Sequence, residues 1–152
     1  MLELGALYGR STVCMAQTAR SVVSVDWHQG CKETGRLDSL PVFHDNVKGY
    51  TNVIPIITRF ETAAELLKGN QFDLIFVDGQ HDYASVQQDL AIARQFGGQI
   101  VVHDWNNFEI TPAATDAGFR PSKVVGSLAI LEYVGKDIGS VQSAALENAQ
   151  WQ

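Results

Sequence analysis

Short apolar runs rich in β-branched residues alternate with segments of helical spacing along most of this chain. The strand-like runs are residues 1–5, 21–27, 52–58, 72–79 and 99–105. Within each run apolar and polar residues hardly alternate, which is typical of strands covered on both faces. This arrangement predicts parallel strands joined by crossover helices, and therefore an α/β domain.

Local signals refine this prediction. Pro55 cannot donate to a strand ladder, so the run at 52–58 should lie at a sheet edge. The clearest helix follows Asp82, a suitable N-cap, and carries one apolar face. That face is formed by Tyr83, Val86, Leu90 and Ala93.

Other segments carry weaker signals. Residues 28–50 have little periodicity, so we expect short helical turns and loop there. Residues 110–118 fit a short helix, and 122–134 fit two strands joined at Gly126-Ser127.

Composition limits the classes of partner. The net charge is −6 and the pI is near 5.0, which disfavours binding to nucleic acid or to an anionic membrane. No apolar run reaches the roughly 20 residues of a membrane-spanning helix, and no charged leader is present. We therefore expect a cytoplasmic protein that binds a small molecule. Cys14 and Cys31 lack metal-type spacing and receive no role; Cys14 is expected to be a buried helix thiol.

Polar residues cluster where the predicted strands end, and ligands of open α/β sheets bind there. The set comprises Glu3, Gly5, Gly9, Ser11, Thr12, Asp26, Thr58, Asp78, His81, His103 and Asp104. Gly5 and Gly9 allow the backbone to turn sharply toward a ligand. Leu7 stands where a dinucleotide fingerprint has its middle glycine, which argues against a pyrophosphate. Asp26 follows Gly5 by about 20 residues, a spacing suited to ribose hydroxyls, so the expected ligand is a nucleoside.

Four segments in order resemble a known family: E-x-G-x-x-x-G-x-S-T from Glu3, "VVSVDWH", "FDLIFVDGQHDYASVQQDL" and "GGQIVVHDW". They look like the class I S-adenosylmethionine-dependent methyltransferases, in particular a small subgroup with D-G-x-H-x-Y after the fourth strand. The resemblance covers residues 1–134. It implies a Rossmann-like, doubly wound sheet of seven mostly parallel strands, in the order 3-2-1-4-5-7-6 with strand 7 antiparallel and helices on both faces. It also implies an S-adenosylmethionine-binding domain over residues 1–135 and a tail over 136–152.

The resemblance further implies roles for individual residues. The turn from Gly5 to Gly9 would cradle the methionine part of the cofactor, with Glu3 orienting the turn. Asp26 would hold the ribose, and Trp27 would lie against adenine. The implied cofactor-binding set is Glu3, Gly5, Ala6, Tyr8, Gly9, Ser11, Thr12, Asp26, Trp27 and Asp78. The segment "ITRFE" departs from the family's usual small and acidic pair, which leaves Thr58 without a clear role.

A hydroxyl acceptor requires a general base, and His81 and His103 are the candidates because imidazole titrates near neutrality. Each histidine also has a structural interpretation, as a helix cap or a backbone hydrogen-bond partner. Asp78 near the sulfonium would offset its positive charge. Asp78 and Asp104 are also the candidate ligands of a divalent cation such as Mg²⁺, although Trp105 departs from the acid-amide pair of metal-dependent relatives.

The leading hypothesis is O-methylation of a small-molecule acceptor. One alternative is an S-adenosylmethionine-binding protein or partner subunit without turnover, and another is a nicotinamide or other nucleotide enzyme. Because Met1 falls directly on the first strand, the helices that usually precede it in the family are missing from this sequence. We therefore expect an open cofactor pocket. Three explanations are open: a second copy in a homo-oligomer covers the pocket, the sequence is a trimmed form, or the affinity for the cofactor is poor.

Overall fold

The computed structural model describes residues 1–135, and the predicted tail, 136–152, lies outside the described residues. The described strands are β1 (Leu2–Leu4), β2 (Val22–Asp26), β3 (Gly30–Cys31), β4 (Gly35–Arg36), β5 (Val53–Ile57), β6 (Leu74–Val77), β7 (Gln99–Val102), β8 (Phe119–Val125) and β9 (Leu128–Tyr133). The described helices are α1 (Arg10–Ala16), α2 (Leu40–Val47), α3 (Phe60–Leu66), α4 (Tyr83–Arg94) and α5 (Ile110–Asp116).

Seven strands form one sheet in the order β5-β2-β1-β6-β7-β9-β8. The small hairpin takes the numbers β3 and β4, so within the main sheet this is the expected order 3-2-1-4-5-7-6. The strands β5, β2, β1, β6 and β7 are parallel to one another, whereas β9 is antiparallel to both β7 and β8. The Rossmann-like prediction is confirmed, and β5, which contains Pro55, is an edge strand as expected.

The segment 28–50 is more ordered than its sequence pattern indicates. It contains the antiparallel hairpin β3–β4 and the two-turn helix α2. Gly30 and Gly35, both at positive φ, provide the backbone conformations of the hairpin, and Pro41 lies in the first turn of α2. Cys14 is exposed on α1, so the expectation of a buried thiol was wrong.

The core consists of two apolar clusters. The larger packs α3, α4 and α5 against the sheet and includes Ile75, Leu90 and Phe119, while the smaller joins Ala6 to Phe43 and Val47 of α2. This packing holds the carboxyl ends of β1, β2, β5, β6 and β7 together at one edge. None of the helices within residues 1–135 has the length and apolar character needed to cross a membrane.

Candidate functional site

The glycine turn after β1 approaches the backbone that follows β6. Gly5 has φ +97°, and a Cβ built there would collide with the carbonyl of Asp78. Leu7, two residues later, also has a positive φ, of 48°. Only glycine fits at position 5, because the turn lies directly against the backbone of Asp78.

Asp26 at the end of β2 fixes the conformation of this turn. Its Oδ2 accepts hydrogen bonds from the backbone N–H groups of Ala6 and Leu7, both at 2.8 Å. Its Oδ1 accepts from the N–H of His28 at 2.7 Å. Because an ionised carboxylate accepts about four hydrogen bonds in all, Asp26 retains capacity at Oδ1 for one further donor.

Glu3 lies beneath the turn and is completely buried. Its carboxylate accepts hydrogen bonds from the hydroxyls of Ser11 (2.6 Å), Thr12 (2.5 Å) and Ser24 (2.6 Å). Burial raises the pKa of Glu3, while these three hydroxyls act in the opposite direction. Ser11 and Thr12 thus connect the start of α1 to β1 through Glu3.

A cleft of about 320 Å³ opens at this edge of the sheet. Of the ten predicted cofactor residues, it is lined by Gly5, Asp26, Trp27 and Asp78. Glu3 and Thr12 are buried behind the turn, and Tyr8 is exposed, its carbonyl accepting a hydrogen bond from Asn46. The remaining members, Ala6, Gly9 and Ser11, support the turn and do not line the cleft.

Two aromatic side chains lie along the cleft. Trp27 carries the guanidinium of Arg59 over its ring, with Arg59 Cζ 4.9 Å from the ring centroid. Phe60, at the start of α3, lines the same cleft. The sequence analysis did not single out Arg59, a basic residue two positions after the end of the edge strand β5. Thr58, which directly follows the strand, does not line the cleft.

Two histidines and two aspartates converge next to the cleft. His81 Nε2 lies 3.6 Å from Asp78 Oδ1 and 3.5 Å from Asp104 Oδ2. His103 Nδ1 lies 3.2 Å from Asp78 Oδ1 and 3.3 Å from Asp104 Oδ1. These four predicted site residues, which follow β6 and β7, therefore form one cluster.

A fifth ionisable group joins the cluster from the β3–β4 hairpin. Glu33 accepts hydrogen bonds from the backbone N–H of His81 (2.7 Å) and pairs with its Nδ1 at 3.0 Å. The side chain of Asp78, followed by Glu33 and Asp104, raises the pKa of His81 to about 9. Glu33 is 48 residues from His81 in sequence, and no local pattern signals the contact.

Asp78, His103 and Asp104 each offer one ligand atom, and these atoms all lie within 4.8 Å of one another. Two carboxylates and an imidazole form a donor set that suits a divalent cation. His103 Nδ1 is buried and has no hydrogen-bond partner among the described residues, which leaves this nitrogen available as a ligand. The predicted pair of carboxylates thus gains a third donor.

A second cleft, of about 470 Å³, is lined in part by His103. Its walls are mainly apolar and include Met15, Phe76 and Leu128. His103 Nε2 contacts the Ser127 hydroxyl at 3.3 Å at its rim. Members of the four-residue cluster thus line both clefts, Asp78 and His81 the first and His103 the second.

Asp89 on α4 is a site residue that the sequence analysis missed. It lines the first cleft although it is only 6% exposed. Burial, together with the nearby Glu61 and Asp82, raises the pKa of this carboxyl to about 8. The sequence does contain a signal for Asp89, because this residue lies on the apolar face of α4 between Val86 and Leu90, where a charged residue is rare.

A comparison of the sequence with known protein families identifies the family of this chain. A family described as "Methyltransferase domain" matches residues 2–105, more than half of the chain. The chain belongs to this methyltransferase family. A comparison with curated protein sequences finds no significant match.

Solved structures resemble the fold of this methyltransferase domain at low identity. Fibrillarin, a pre-rRNA processing protein of Methanococcus jannaschii, is 17% identical with a TM-score of 0.63, over 89% of this chain and 66% of its own. An O-methyltransferase from Bacillus cereus, in complex with S-adenosylhomocysteine, is 16% identical with a TM-score of 0.60, over 86% of this chain and 73% of its own. Aeropyrum pernix fibrillarin, with natively bound S-adenosyl-L-methionine, is 16% identical with a TM-score of 0.59, over 86% of this chain and 64% of its own. The chain therefore spans about two thirds of each fibrillarin, and these similarities establish the fold.

Proposed function

We propose that this methyltransferase domain transfers a methyl group from S-adenosylmethionine to an oxygen of a small molecule. The observation that carries the proposal is the continuity of the site. One cleft contains the glycine turn, Asp26 and Trp27, and it reaches Asp78 in the histidine cluster. A nucleoside cofactor and a proton acceptor are thereby brought within one site.

The residues that would hold the cofactor follow from the contacts of the turn. Asp26 Oδ1 has room for a ribose hydroxyl, while Oδ2 keeps the turn in place. Trp27 offers an aromatic face to adenine once the Arg59 guanidinium moves aside or stacks on the opposite side. Asp78, beside Gly5, would place its negative charge near the sulfonium.

The chemistry required of the protein is limited, because bound S-adenosylmethionine supplies a methyl group already activated on a sulfonium. The protein must align the acceptor oxygen for in-line displacement and accept its proton. We assign proton removal to His103, whose Nε2 lies beside Ser127 in the second cleft. His81, with its pKa raised to about 9, holds a proton at neutral pH and acts as a cation between Asp78 and Asp104. As the oxygen forms its bond to the methyl carbon, the carbon–sulfur pair returns to sulfur and the hydroxyl proton passes to imidazole.

Asp78, Asp104 and His103 would hold a divalent cation such as Mg²⁺, which when bound polarises an acceptor hydroxyl. Their mutual distances fit such an ion. This cation is a component of the proposal that the experiment below tests separately.

A small-molecule acceptor is favoured by charge and shape. The net charge of −6 disfavours a phosphate backbone as substrate. The apolar cleft beside His103, with Met15 and Phe76 in its walls, suits a molecule that has apolar surface and a hydroxyl group.

The test is calorimetric titration of the full chain with S-adenosylhomocysteine, with and without Mg²⁺. We expect Asp26→Ala to weaken binding at least tenfold, because the turn loses its anchor, while Asp45→Asn on the surface of α2 leaves binding unchanged. No binding to the wild type in either condition would refute the proposal.

Turnover is tested with labelled S-adenosylmethionine and a panel of hydroxylated and non-hydroxylated small molecules. We expect His103→Asn to reduce kcat by about a hundredfold while cofactor affinity is retained. Cofactor binding without any product would instead support the alternative of a binding protein without turnover. Equal activity with and without Mg²⁺ after chelation would remove the cation from the proposal.

A further inference from the structure

One wall of the cofactor cleft is formed by the start of α3 and the first turns of α4. Asp89 lies in this wall, 6% exposed, with its carboxyl directed at the loop that follows β6. A Cβ built at Gly79 would collide with Asp89 Oδ2 and with the ring of Phe60. The missing side chain at Gly79 therefore leaves the Asp89 carboxyl access to the cleft.

The polar groups around Asp89 are paired with one another. The Ser85 hydroxyl donates to Asp82 at 2.8 Å, and the Gln88 amide donates to Glu61 at 2.6 Å. Within residues 1–135, the Asp89 carboxyl makes no hydrogen bond and no ion pair. Because Asp89 also lines the cleft, its carboxyl is available to hydrogen-bond with a molecule bound there.

The protonation state of the Asp89 carboxyl determines which ligand groups it can bind. Burial raises its pKa to about 8, and the charges that face it, Glu61 from α3 and Asp82 from the loop before α4, act in the same direction. At neutral pH the group is therefore a carboxylic acid, which presents one O–H donor beside one C=O acceptor. An anionic ligand group, such as the carboxylate of a methionine moiety, would be repelled by Glu61 and Asp82.

We propose that Asp89 recognises the cofactor's base, by hydrogen bonding to the edge of adenine that carries N1 and the 6-amino group. This inference rests on the proposed use of S-adenosylmethionine. N1 accepts a hydrogen bond and the adjacent amino group donates one, which complements a carboxylic acid. Trp27 and Phe60 line the same cleft and offer apolar faces for a planar base, while Asp26 is positioned for the ribose. Asp89 is thus assigned as a residue that determines cofactor specificity.

The experiment compares two ligands and three forms of the full chain. The ligands are S-adenosylhomocysteine and its analogue with hydrogen in place of the 6-amino group, and affinities are measured by calorimetry. We expect the wild type to bind the analogue about tenfold more weakly, because the C=O of the Asp89 carboxyl loses the 6-amino group as a hydrogen-bond donor. Asp89→Leu should bind both ligands weakly and equally, whereas Asp89→Asn, which keeps a donor and an acceptor, should retain the preference.

The pH dependence of binding provides a readout that a purely structural role would not move. The affinities of the wild type and of the control Asp45→Asn for S-adenosylhomocysteine should both fall between pH 7.5 and 9.5, as the Asp89 O–H donor is lost, whereas Asp89→Asn should show no such fall. Equal binding of both ligands by the wild type, or a retained preference in Asp89→Leu, would overturn the assignment while leaving the proposed cofactor intact. No binding of either ligand to the wild type would overturn the proposed function together with this inference.

Discussion

Replacement of Asp89 by asparagine should change how the stability of the ligand-free protein depends on pH. In the folded state the Asp89 carboxyl keeps its proton up to about pH 8, whereas its ordinary pKa is 3.8. Between these values the folded state binds more protons than the unfolded state. The contribution of this group to the free energy of unfolding therefore falls as pH rises.

The magnitude follows from the size of the pKa difference. Each pH unit between the two pKa values changes the free energy of unfolding by up to about 1.4 kcal/mol. From pH 5.5 to pH 7.5, wild-type stability should thus decline by up to about 3 kcal/mol relative to Asp89→Asn, which has no proton to release. Titrations of other groups are common to both proteins and cancel in this comparison.

The assay is urea unfolding of both proteins at several pH values across that range, followed by tryptophan fluorescence. Trp105, which is buried in the larger core cluster, reports global unfolding. Asp45→Asn is the matched control, because it removes one carboxylate of a side chain that is 73% exposed. A stability difference between Asp89→Asn and wild type that stays constant with pH would refute the conclusion that Asp89 is buried as a neutral acid.

Three further predictions concern the turn and the cleft beside it. Glu3→Gln should lower the free energy of unfolding by about 1–3 kcal/mol, measured by urea denaturation, because one of three hydroxyl donors loses its acceptor in a buried site. Gly5→Ala should destabilise by at least about 3 kcal/mol, since its Cβ meets the Asp78 carbonyl; a Tm within 2–4 °C of wild type would contradict this. Trp27→Leu should weaken binding of S-adenosylhomocysteine about tenfold in calorimetry with little effect on stability, because this exposed ring offers a stacking face. Unchanged affinity would place adenine elsewhere.

The order of elements could be predicted because each depends on local sequence. Runs such as residues 72–79 and 99–105 are β-branched and bounded by turn residues, so their strand character needs no knowledge of their neighbours. Pro55 restricted β5 to a sheet edge because proline lacks an N–H, and the structure confirms this. The hairpin β3–β4 was missed, since its strands are two residues each and have no periodicity to detect.

Site residues at strand ends could also be anticipated. Asp78, His81, His103 and Asp104 follow β6 and β7, and adjacent parallel strands bring their ends together. Their contacts with groups from other parts of the chain could not be anticipated. Glu33 reaches His81 from a hairpin far away in sequence, and Arg59 reaches Trp27 from a different strand end.

The sequence by itself determined the α/β class, the edge position of β5 and the polar edge at which the strands end. The tertiary structure alone decided what each carboxylate does. Glu3 is enclosed by three hydroxyls, Asp26 holds the backbone of the turn, and Asp89 is buried without a partner among residues 1–135. The physical reason is that strand and helix patterns depend on neighbouring residues, whereas burial and hydrogen-bond partners depend on segments that only folding brings together.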